Sequence, residues 1–283
     1  MSSSGGHAPL LAFEDVHYRY PDSRFGLNGV SMAFARGSRN ALLGANGSGK
    51  STLFLHANGL IRAQTGSVRF DGEPIRHDRA ALAALRRRVG LVFQDAERQL
   101  FSAKVGEDVA FGPLNLDLDA NTVRQRVADA LNAVGLAGFD ERPLHQLSHG
   151  QKKRVAIAGV LAMAPELLIL DEPLAGLDHD SRNSLLALLD RLHAQGITIL
   201  LSTHSVDLAY AWADHIHLIG EGKSLTSFEV SELPQQQAAL AAAGLPLPEV
   251  VELHRTLVAR GVLAAEPVPR SIAALNRLLD AGS

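Results

Sequence analysis

The stretch Arg39-Asn40-Ala41-Leu42-Leu43-Gly44-Ala45-Asn46-Gly47-Ser48-Gly49-Lys50-Ser51 decides the fold of this chain. Its first five residues are typical of a short strand, and residues 51–60 are typical of a helix. Residues 44–51 match the pattern of a phosphate-binding loop, which requires a strand before it and a helix after it. A glycine-rich turn arising by chance is the alternative, but it leaves the Lys-Ser pair at the end of the loop unexplained.

The residue types of this loop predict its chemistry. Glycines let backbone N–H groups converge on phosphate oxygens, and the start of the helix near Gly49 adds a favourable dipole. Lys50 would place a positive charge on the β- and γ-phosphates, and Ser51 would offer its hydroxyl to Mg²⁺. We expect a nucleotide to contact Gly44, Asn46, Gly47, Ser48, Gly49, Lys50, Ser51 and Thr52.

A pair of acids follows a second apolar strand, at residues 167–171. Asp171 would lie at the carboxyl end of this buried strand, where open α/β sheets bind ligands. Its carboxylate would hold Mg²⁺, which prefers oxygen ligands and keeps some of its water. Glu172 would act as the general base on the attacking water. A solvated pair of acids at a strand end is the alternative.

The order of apolar segments predicts a doubly wound parallel sheet. Residues 167–171 and 197–201 are continuously apolar, as strands covered on both faces should be, and residues 181–194 between them are typical of a helix. Residues 10–71 are mostly strands, and residues 215–219 alternate like another strand. Residues 80–165 are mainly helical, with a strand at 89–93. Near the C-terminus, apolar positions at helical spacing predict two short amphipathic helices. The first has Val250, Leu253, Leu257 and Val258 on one face, and the second has Ile272, Leu275, Leu278 and Leu279.

Composition excludes several classes of function. The 283 residues have a net charge of −3, so we expect no nucleic-acid partner. Absence of cysteine excludes disulfides and thiolate metal sites. No apolar run approaches the roughly 18–20 residues that span a bilayer, and residues 1–7 do not resemble a signal peptide. A membrane role would therefore require a partner chain.

The segment Leu147-Ser148-His149-Gly150-Gln151 resembles the signature motif of ABC ATPases, usually Leu-Ser-Gly-Gly-Gln. The resemblance implies ATP hydrolysis in a homodimer, in which residues 148–151 of one subunit face the γ-phosphate bound to the other. Ser148 and Gln151 also form a capping-box pattern. His149 departs from the motif, and a positive φ there would cost a histidine about 1–2 kcal/mol.

Three cations follow the motif, Lys152, Lys153 and Arg154. They fall in the first helical turn, where positive charge is unfavourable. A bound phosphate nearby would offset that cost.

Smaller motifs complete the resemblance. Gln94 resembles the Q-loop glutamine, which implies contact with Mg²⁺ and water, and His204 resembles the switch histidine near the γ-phosphate. Asp178 lies in a segment similar to the D-loop, which implies a contact across the dimer. Tyr20 resembles the aromatic residue that stacks on adenine, and Tyr18 competes for that role. The implied catalytic set is Lys50, Gln94, Glu172 and His204; the implied Mg²⁺ ligands are Ser51, Gln94 and Asp171.

The resemblance also implies a domain organisation. An α/β phosphate-loop NTPase core with an antiparallel β subdomain would occupy residues 10–232, and its helical subdomain would cover about 95–165. Residues 1–9 would form a flexible tail, and residues 233–283 a small helical extension.

Residues 89–94, 99–101, 107–113 and 151–161 look most like the ATPases of energy-coupling-factor importers for cobalt and nickel. This implies a membrane coupling protein that docks on residues 95–113, a membrane protein that captures the substrate, and a place on the cytoplasmic face of the membrane. A vitamin-type importer and a degenerate nucleotide-sensing subunit, suggested by His149, stay open. His215 and His217 could pair with a third metal ligand, but structural roles are favoured.

Overall fold

Two β-sheets organise the computed structural model, which describes residues 8–21, 25–116 and 118–281. Most of the predicted tail, residues 1–7, lies outside the described residues. The strands are β1 (Leu11–Arg19), β2 (Phe25–Phe34), β3 (Arg39–Leu43), β4 (Thr65–Phe70), β5 (Glu73–Pro74), β6 (Val89–Val92), β7 (Leu167–Leu170), β8 (Thr198–Thr203), β9 (His215–Gly220) and β10 (Lys223–Glu229).

Helices cover the sheets and fill the region between β6 and β7. The α-helices are α1 (Lys50–Ala57), α2 (Arg79–Arg88), α3 (Val105–Leu114), α4 (Ala120–Ala133), α5 (His149–Leu161), α6 (His179–Ala194), α7 (Val206–Trp212), α8 (Gln237–Ala242), α9 (Glu249–Ala259) and α10 (Ile272–Ala281). Short 3₁₀ turns occupy Ala96–Gln99, Leu144–Gln146 and Val230–Gln235. No helix among the described residues is both long and apolar enough to cross a membrane.

The larger sheet has the strand order β10-β9-β3-β8-β7-β6. Neighbours from β9 to β6 pair in parallel, and β10 is antiparallel to β9. Leu43 pairs with Thr203, and Leu170 pairs with Leu201, so β3, β8 and β7 end side by side. The smaller sheet is antiparallel, in the order β2-β1-β4-β5. The predicted α/β class with an antiparallel β part is confirmed.

Local hydrogen bonding shifts some predicted boundaries. Strand β8 starts at Thr198 instead of residue 197, because the Ile197 N–H bonds to the Leu192 carbonyl and closes the end of α6. Helix α1 ends at Ala57 instead of residue 60. The Asn58 N–H donates a hydrogen bond to the Phe54 carbonyl oxygen, and Gly59 then takes a φ of +66°. Both shifts come from helix-end chemistry, which apolar patterns do not register.

The parallel strands separate two hydrophobic clusters. Neighbouring residues on a strand point to opposite faces, so Leu42 and Ile169 pack with the antiparallel sheet and α1, whereas Leu43 and Leu170 pack in the larger cluster. Residues 233–283 contribute to that larger cluster through Leu240, Leu245, Leu247, Val250, Val251 and Leu275. The C-terminal segment is thus continuous with the main core, although the predicted domain boundaries stay a prediction.

Both C-terminal amphipathic helices form, but the buried face of α9 differs from the predicted one. Val250, Val251 and His254 are buried, whereas Leu253 is 48% exposed. A buried histidine is tolerated here because its Nε2 lies 3.1 Å from the Ala264 carbonyl oxygen. Apolar periodicity could not identify this polar member of the face.

His217 is buried in β9, between two neighbouring strands. Its Nδ1 lies 2.8 Å from Ser227 Oγ, and its Nε2 lies 3.2 Å from Asn40 Oδ1. Burial lowers the pKa of His217 to about 3, and the charge of nearby His215 adds to the shift. Within the described ranges, no three His, Cys, Asp or Glu side chains gather in a way that could hold a metal ion.

Acidification is expected to destabilise the fold through His217. The unfolded chain takes up a proton near the ordinary pKa of 6.5, whereas the folded ring stays neutral down to about 3. Stability present above pH 6.5 is therefore lost as the pH falls, with a slope of about 1.4 kcal/mol per pH unit. The free energy of unfolding, measured with urea between pH 7 and 5, should depend less steeply on pH in His217→Gln. The difference in slope corresponds to about one proton. Equal slopes for the two proteins would contradict this assignment.

Candidate nucleotide site

A cavity of about 370 Å³ opens at the edge where β3 and β7 end. It gathers residues from four separate parts of the sequence. The lining residues are Tyr20, Asn46, Gly47, Ser48, Gly49, Lys50, Ser51, Thr52, Gln94, Asp171 and Glu172. The structure thus brings together the predicted loop, both acids, the glutamine and the aromatic residue.

The loop before α1 is built on glycines at places where a side chain could not fit. A Cβ at Gly44 would lie 2.3 Å from the carbonyl oxygen of Ile219 on β9. Gly49 has a φ of +108°, a conformation that L side chains rarely adopt. The loop therefore depends on these two residues for its shape, and Gly44 packs behind the cavity instead of lining it.

Lys50 is buried at the first position of α1 and folds back over the loop. Its Nζ donates hydrogen bonds to the carbonyl oxygens of Gly44, at 2.7 Å, and Ala45, at 3.2 Å. The same Nζ lies 3.6 Å from Glu172 Oε1. The ammonium group of Lys50 thus lies beside the Glu172 carboxylate, and Lys50 lines the cavity.

Asp171 is fixed by two hydroxyl groups. Ser51 Oγ donates to Asp171 Oδ2, and Ser202 Oγ donates to Asp171 Oδ1 at 2.6 Å. Ser202 Oγ also accepts the Glu172 N–H at 2.8 Å. Sequence reasoning missed this role of Ser202. The available signal was its position at the end of β8, the strand adjacent to β7.

Glu172 has one bonded and one unbonded carboxylate oxygen. Its Oε2 lies 3.2 Å from His204 Nδ1, and its backbone has a φ of +46°. In the described part of the chain, Glu172 Oε1 is a buried oxygen without a hydrogen-bond partner, and so is Ser48 Oγ. His204 is 68% exposed and does not line the cavity itself. The structure thus places His204 in contact with Glu172, while the catalytic roles of the two residues stay a prediction.

The buried unbonded atoms test whether the site fits its expected ligands. A buried polar atom without a partner costs about 1–3 kcal/mol, so a polar ligand in this cavity would remove a penalty. The oxygens of Ser51, Asp171 and Gln94 form a donor set that Mg²⁺ accepts. The residues present are thus suited to a nucleotide with Mg²⁺.

The two tyrosine rings contact each other, with centroids 4.9 Å apart, but their other surroundings differ. Tyr20 lines the cavity, and its hydroxyl lies 3.2 Å from Thr52 Oγ1. Tyr18 packs against the smaller core cluster, with its ring centroid 5.0 Å from that of His56. This placement favours Tyr20 as the predicted adenine-stacking residue.

The signature segment forms a capped helix start away from this cavity. Ser148 Oγ accepts the Gln151 N–H at 3.3 Å, and Gln151 Oε1 accepts the Ser148 N–H at 3.0 Å. Residues 148–151, all described, are not among those lining the cavity. His149 is the first helical residue, and its φ is not positive. The conformational cost that a positive φ would bring at His149 therefore does not arise.

The three cations after the motif make contacts within the chain. Lys152 Nζ lies 3.1 Å from Glu97 Oε2, and Arg154 Nη2 donates to Ser184 Oγ at 2.9 Å. Lys153 is buried. These contacts within the chain help to offset the unfavourable helix position, and the expected contribution of a bound phosphate stays a prediction.

Asp178 caps helix α6 by accepting the Ser181 N–H at 2.7 Å. This hydrogen bond holds the pKa of Asp178 below its usual value. The contact is local, so the predicted role of Asp178 across a dimer stays a prediction.

The family model described as ABC transporter matches residues 27–175. The chain belongs to this family. EcfA, an energy-coupling factor transporter ATP-binding protein of Methanocaldococcus jannaschii, is 47% identical over 248 residues, which cover 88% of this chain and 89% of that protein. The cobalt import ATP-binding protein CbiO of Rhodobacter capsulatus is 48% identical over 245 residues, which cover 87% of this chain and 88% of that protein.

A solved structure agrees with this assignment. CbiO1 from Clostridium perfringens, described as part of the ABC transporter complex cbiONQ, has a TM-score of 0.75 and 40% sequence identity. The match covers 88% of this chain and 100% of that one. The chain is an ABC ATPase of the energy-coupling-factor type, which energises import.

Proposed function

We propose that this ABC ATPase works as a homodimer on the cytoplasmic face of the cell membrane and hydrolyses Mg-ATP to drive the uptake of cobalt or nickel ions. The observation that supports it most is the convergence of Lys50, Asp171 and Glu172 on one cavity. Positive charge for the phosphates and an unbonded carboxylate oxygen for the attacking water meet there. Phosphoryl transfer to water requires groups of these two kinds.

Binding of the triphosphate is assigned to the loop and its neighbours. Lys50 would hold the β- and γ-phosphates, and loop N–H groups would surround them. Mg²⁺ supplies charge neutralisation on the phosphates when it is bound. Ser51, Gln94 and Asp171 would hold that ion, and the hydrogen bond from Ser202 keeps Asp171 oriented.

Proton transfer is assigned to Glu172. Its Oε1 has no hydrogen-bond partner among the described residues and lies 3.6 Å from Lys50 Nζ, so a water molecule beside it could transfer a proton to it. His204 contacts the other oxygen and would orient the carboxylate. A well-placed base contributes about 10²–10⁴-fold to the rate.

A second copy would complete the site. Helix α5 begins with a capped serine outside its own nucleotide cavity. Helix starts attract anions, so the start of α5 in one subunit would cover the γ-phosphate bound to the other. Residues Ser148, His149, Gly150 and Gln151 would make that contact.

The membrane coupling protein would dock on a groove of about 330 Å³ between β6, α3 and α5. Phe101 is 64% exposed beside this groove, and Phe111 is 52% exposed. Their ring centroids lie 4.7 Å apart. Exposed apolar surface of this kind marks an interaction site, which supports docking on residues 95–113.

Cobalt or nickel is favoured because the Rhodobacter capsulatus relative is named for cobalt import. The Methanocaldococcus jannaschii relative carries a name without a substrate, so a vitamin-type importer is the alternative. The substrate-capturing membrane protein would select the cargo. Uptake of labelled cobalt, nickel and vitamins by the assembled transporter distinguishes these substrates.

A degenerate nucleotide-sensing subunit is the non-enzymatic alternative, prompted by His149. The helical backbone at His149 argues against it, because its N–H can still reach a phosphate. ATP turnover of the wild-type transporter near zero, restored by His149→Gly, would favour the alternative.

Mixed dimers provide the test of the proposed sandwich. One copy carries Lys50→Met and the other Ser148→Arg, both in a Glu172→Gln background that preserves bound ATP. If the loop of one subunit faces the helix start of the other, one site keeps both surfaces intact. We expect one trapped ATP per mixed dimer, measured after rapid gel filtration of differently tagged copies in the transporter.

The matched control places Lys50→Met and Ser148→Arg on the same copy, beside a copy with neither change. Each site then loses one surface, and we expect little trapped ATP. Equal trapping in the two mixed dimers would show that the surfaces do not meet across the subunits.

A further inference from the structure

Lys153 is a buried cation that the proposed mechanism does not use. It lies in the first turns of α5 and is 2% exposed. Its Nζ donates a hydrogen bond to the Ala175 carbonyl oxygen at 3.1 Å. Ala175 begins the segment that ends at Asp178, directly after the strand end that holds both acids.

The backbone of Ala175 links this contact to Glu172, the proposed general base. The Ala175 N–H donates to the Glu172 carbonyl oxygen at 3.1 Å. Ala175 therefore contacts Lys153 through its carbonyl oxygen and the Glu172 backbone through its N–H. Because Glu172 has a φ of +46°, its position depends on such neighbouring contacts.

The charge of Asp95, in the turn that follows Gln94, also acts on Lys153. Burial lowers the pKa of Lys153, and the negative charge of Asp95 opposes this shift. A buried ammonium group is costly unless it is paired. The Ala175 carbonyl oxygen stabilises it directly, and the charge of Asp95, which itself pairs with Arg98 at 2.8 Å, adds to this. One side chain of α5 thus contacts the segment after Glu172 and lies near the turn after Gln94.

Neighbouring residues of α5 contact the same two segments. Lys152 Nζ lies 3.1 Å from Glu97 Oε2, and His149 Nδ1 lies 3.2 Å from Glu97 Oε1. His149 Nε2 is 3.6 Å from the place that a Cβ on Gly176 would take. Independent contacts thus hold the start of α5, residues 95–99 and residues 175–176 together.

We propose that Lys153 is a positioning residue for ATP hydrolysis, which holds the Ala175–Asp178 segment at a set distance from the start of α5, while Lys152 and His149 hold residues 95–99 to the same helix. Displacement of the docking segment is then transmitted to the backbone of Glu172 through Lys153 and Ala175. This inference rests on the proposed roles of Glu172 and of residues 95–113.

Lys153→Met keeps an unbranched side chain that is one atom shorter and removes its charge and donor groups. In the assembled transporter we expect kcat to fall about tenfold, since small misplacements of reacting groups have large effects. KM for ATP should change less than threefold, because Lys153 does not line the nucleotide cavity. Lys153→Arg, which keeps a cation and donors, should recover part of kcat.

Arg154→Met is the matched control. It removes the next cation of the same helix, whose contact is with Ser184 on α6, and it should leave kcat within twofold. Asp95→Asn tests the same junction from an exposed position, should Lys153→Met fail to fold. We expect it to lower kcat about threefold with KM unchanged.

The outcomes separate the inference from the proposed function. No ATP turnover by the wild-type transporter would overturn the proposed function. Normal wild-type turnover with an unchanged kcat in Lys153→Met, or in Asp95→Asn where Lys153→Met does not fold, would overturn the inference alone. Equal losses of kcat in Lys153→Met and Arg154→Met would also overturn it, since the effect would belong to helix stability.

Discussion

Glu172→Gln is expected to bind ATP, form a stable dimer and hydrolyse about 10²–10⁴-fold more slowly than the wild type. Glutamine has nearly the same shape as glutamate but cannot accept the proton of the attacking water. The backbone hydrogen bond from Glu172 N–H to Ser202 Oγ does not depend on the carboxylate, so the site should keep its shape. Single-turnover hydrolysis of labelled ATP and size-exclusion chromatography measure the two effects.

Glu73→Gln is a suitable control, since Glu73 is exposed on the short strand β5. It makes the same chemical change far from the proposed reaction and should hydrolyse ATP at the wild-type rate. Hydrolysis by Glu172→Gln at that same rate would remove Glu172 from the mechanism.

Lys50→Met is expected to weaken ATP binding by about 2–5 kcal/mol, the usual effect of removing one partner of a buried charge pair. This corresponds to about 30- to 4,000-fold in Kd. The substitution removes the charge that would face the β- and γ-phosphates. It also leaves Glu172 without the ammonium group that lies 3.6 Å away. Titration of the purified chain with a fluorescent ATP analogue measures the change.

Lys223→Met controls for the loss of a lysine, because Lys223 is exposed on the edge strand β10. It should bind the analogue as tightly as the wild type. If Lys50→Met also bound with wild-type affinity, the nucleotide would have to lie outside the cavity at the end of β3.

Interactions across the sheet explain why some parts of the site escaped prediction. Ser202 holds Asp171 and the Glu172 backbone although it is about 30 residues away in sequence. Its hydroxyl reaches them because β8 pairs with β7. A serine at the end of a strand is common, and its role depends on which strand lies beside it.

The backbone at His149 was also decided outside the motif. A positive φ there would have been costly, but Ser148 caps the helix and His149 takes an ordinary helical conformation. The motif indicated where a helix begins. Its backbone angles followed from the cap and from the contacts of the neighbouring segments.

The amino-acid sequence by itself determined the phosphate loop, the acids at a strand end and the capped start of α5. These features depend on glycine conformation, helix ends and hydrogen bonds between residues that are close along the chain, so local residue types suffice. Only the tertiary structure decided the contact between Ser202 and Asp171, the burial of Lys153 against Ala175 and the packing of the C-terminal helices into the main core. Those contacts join distant segments, and their geometry arises from the order of strands and helices in space.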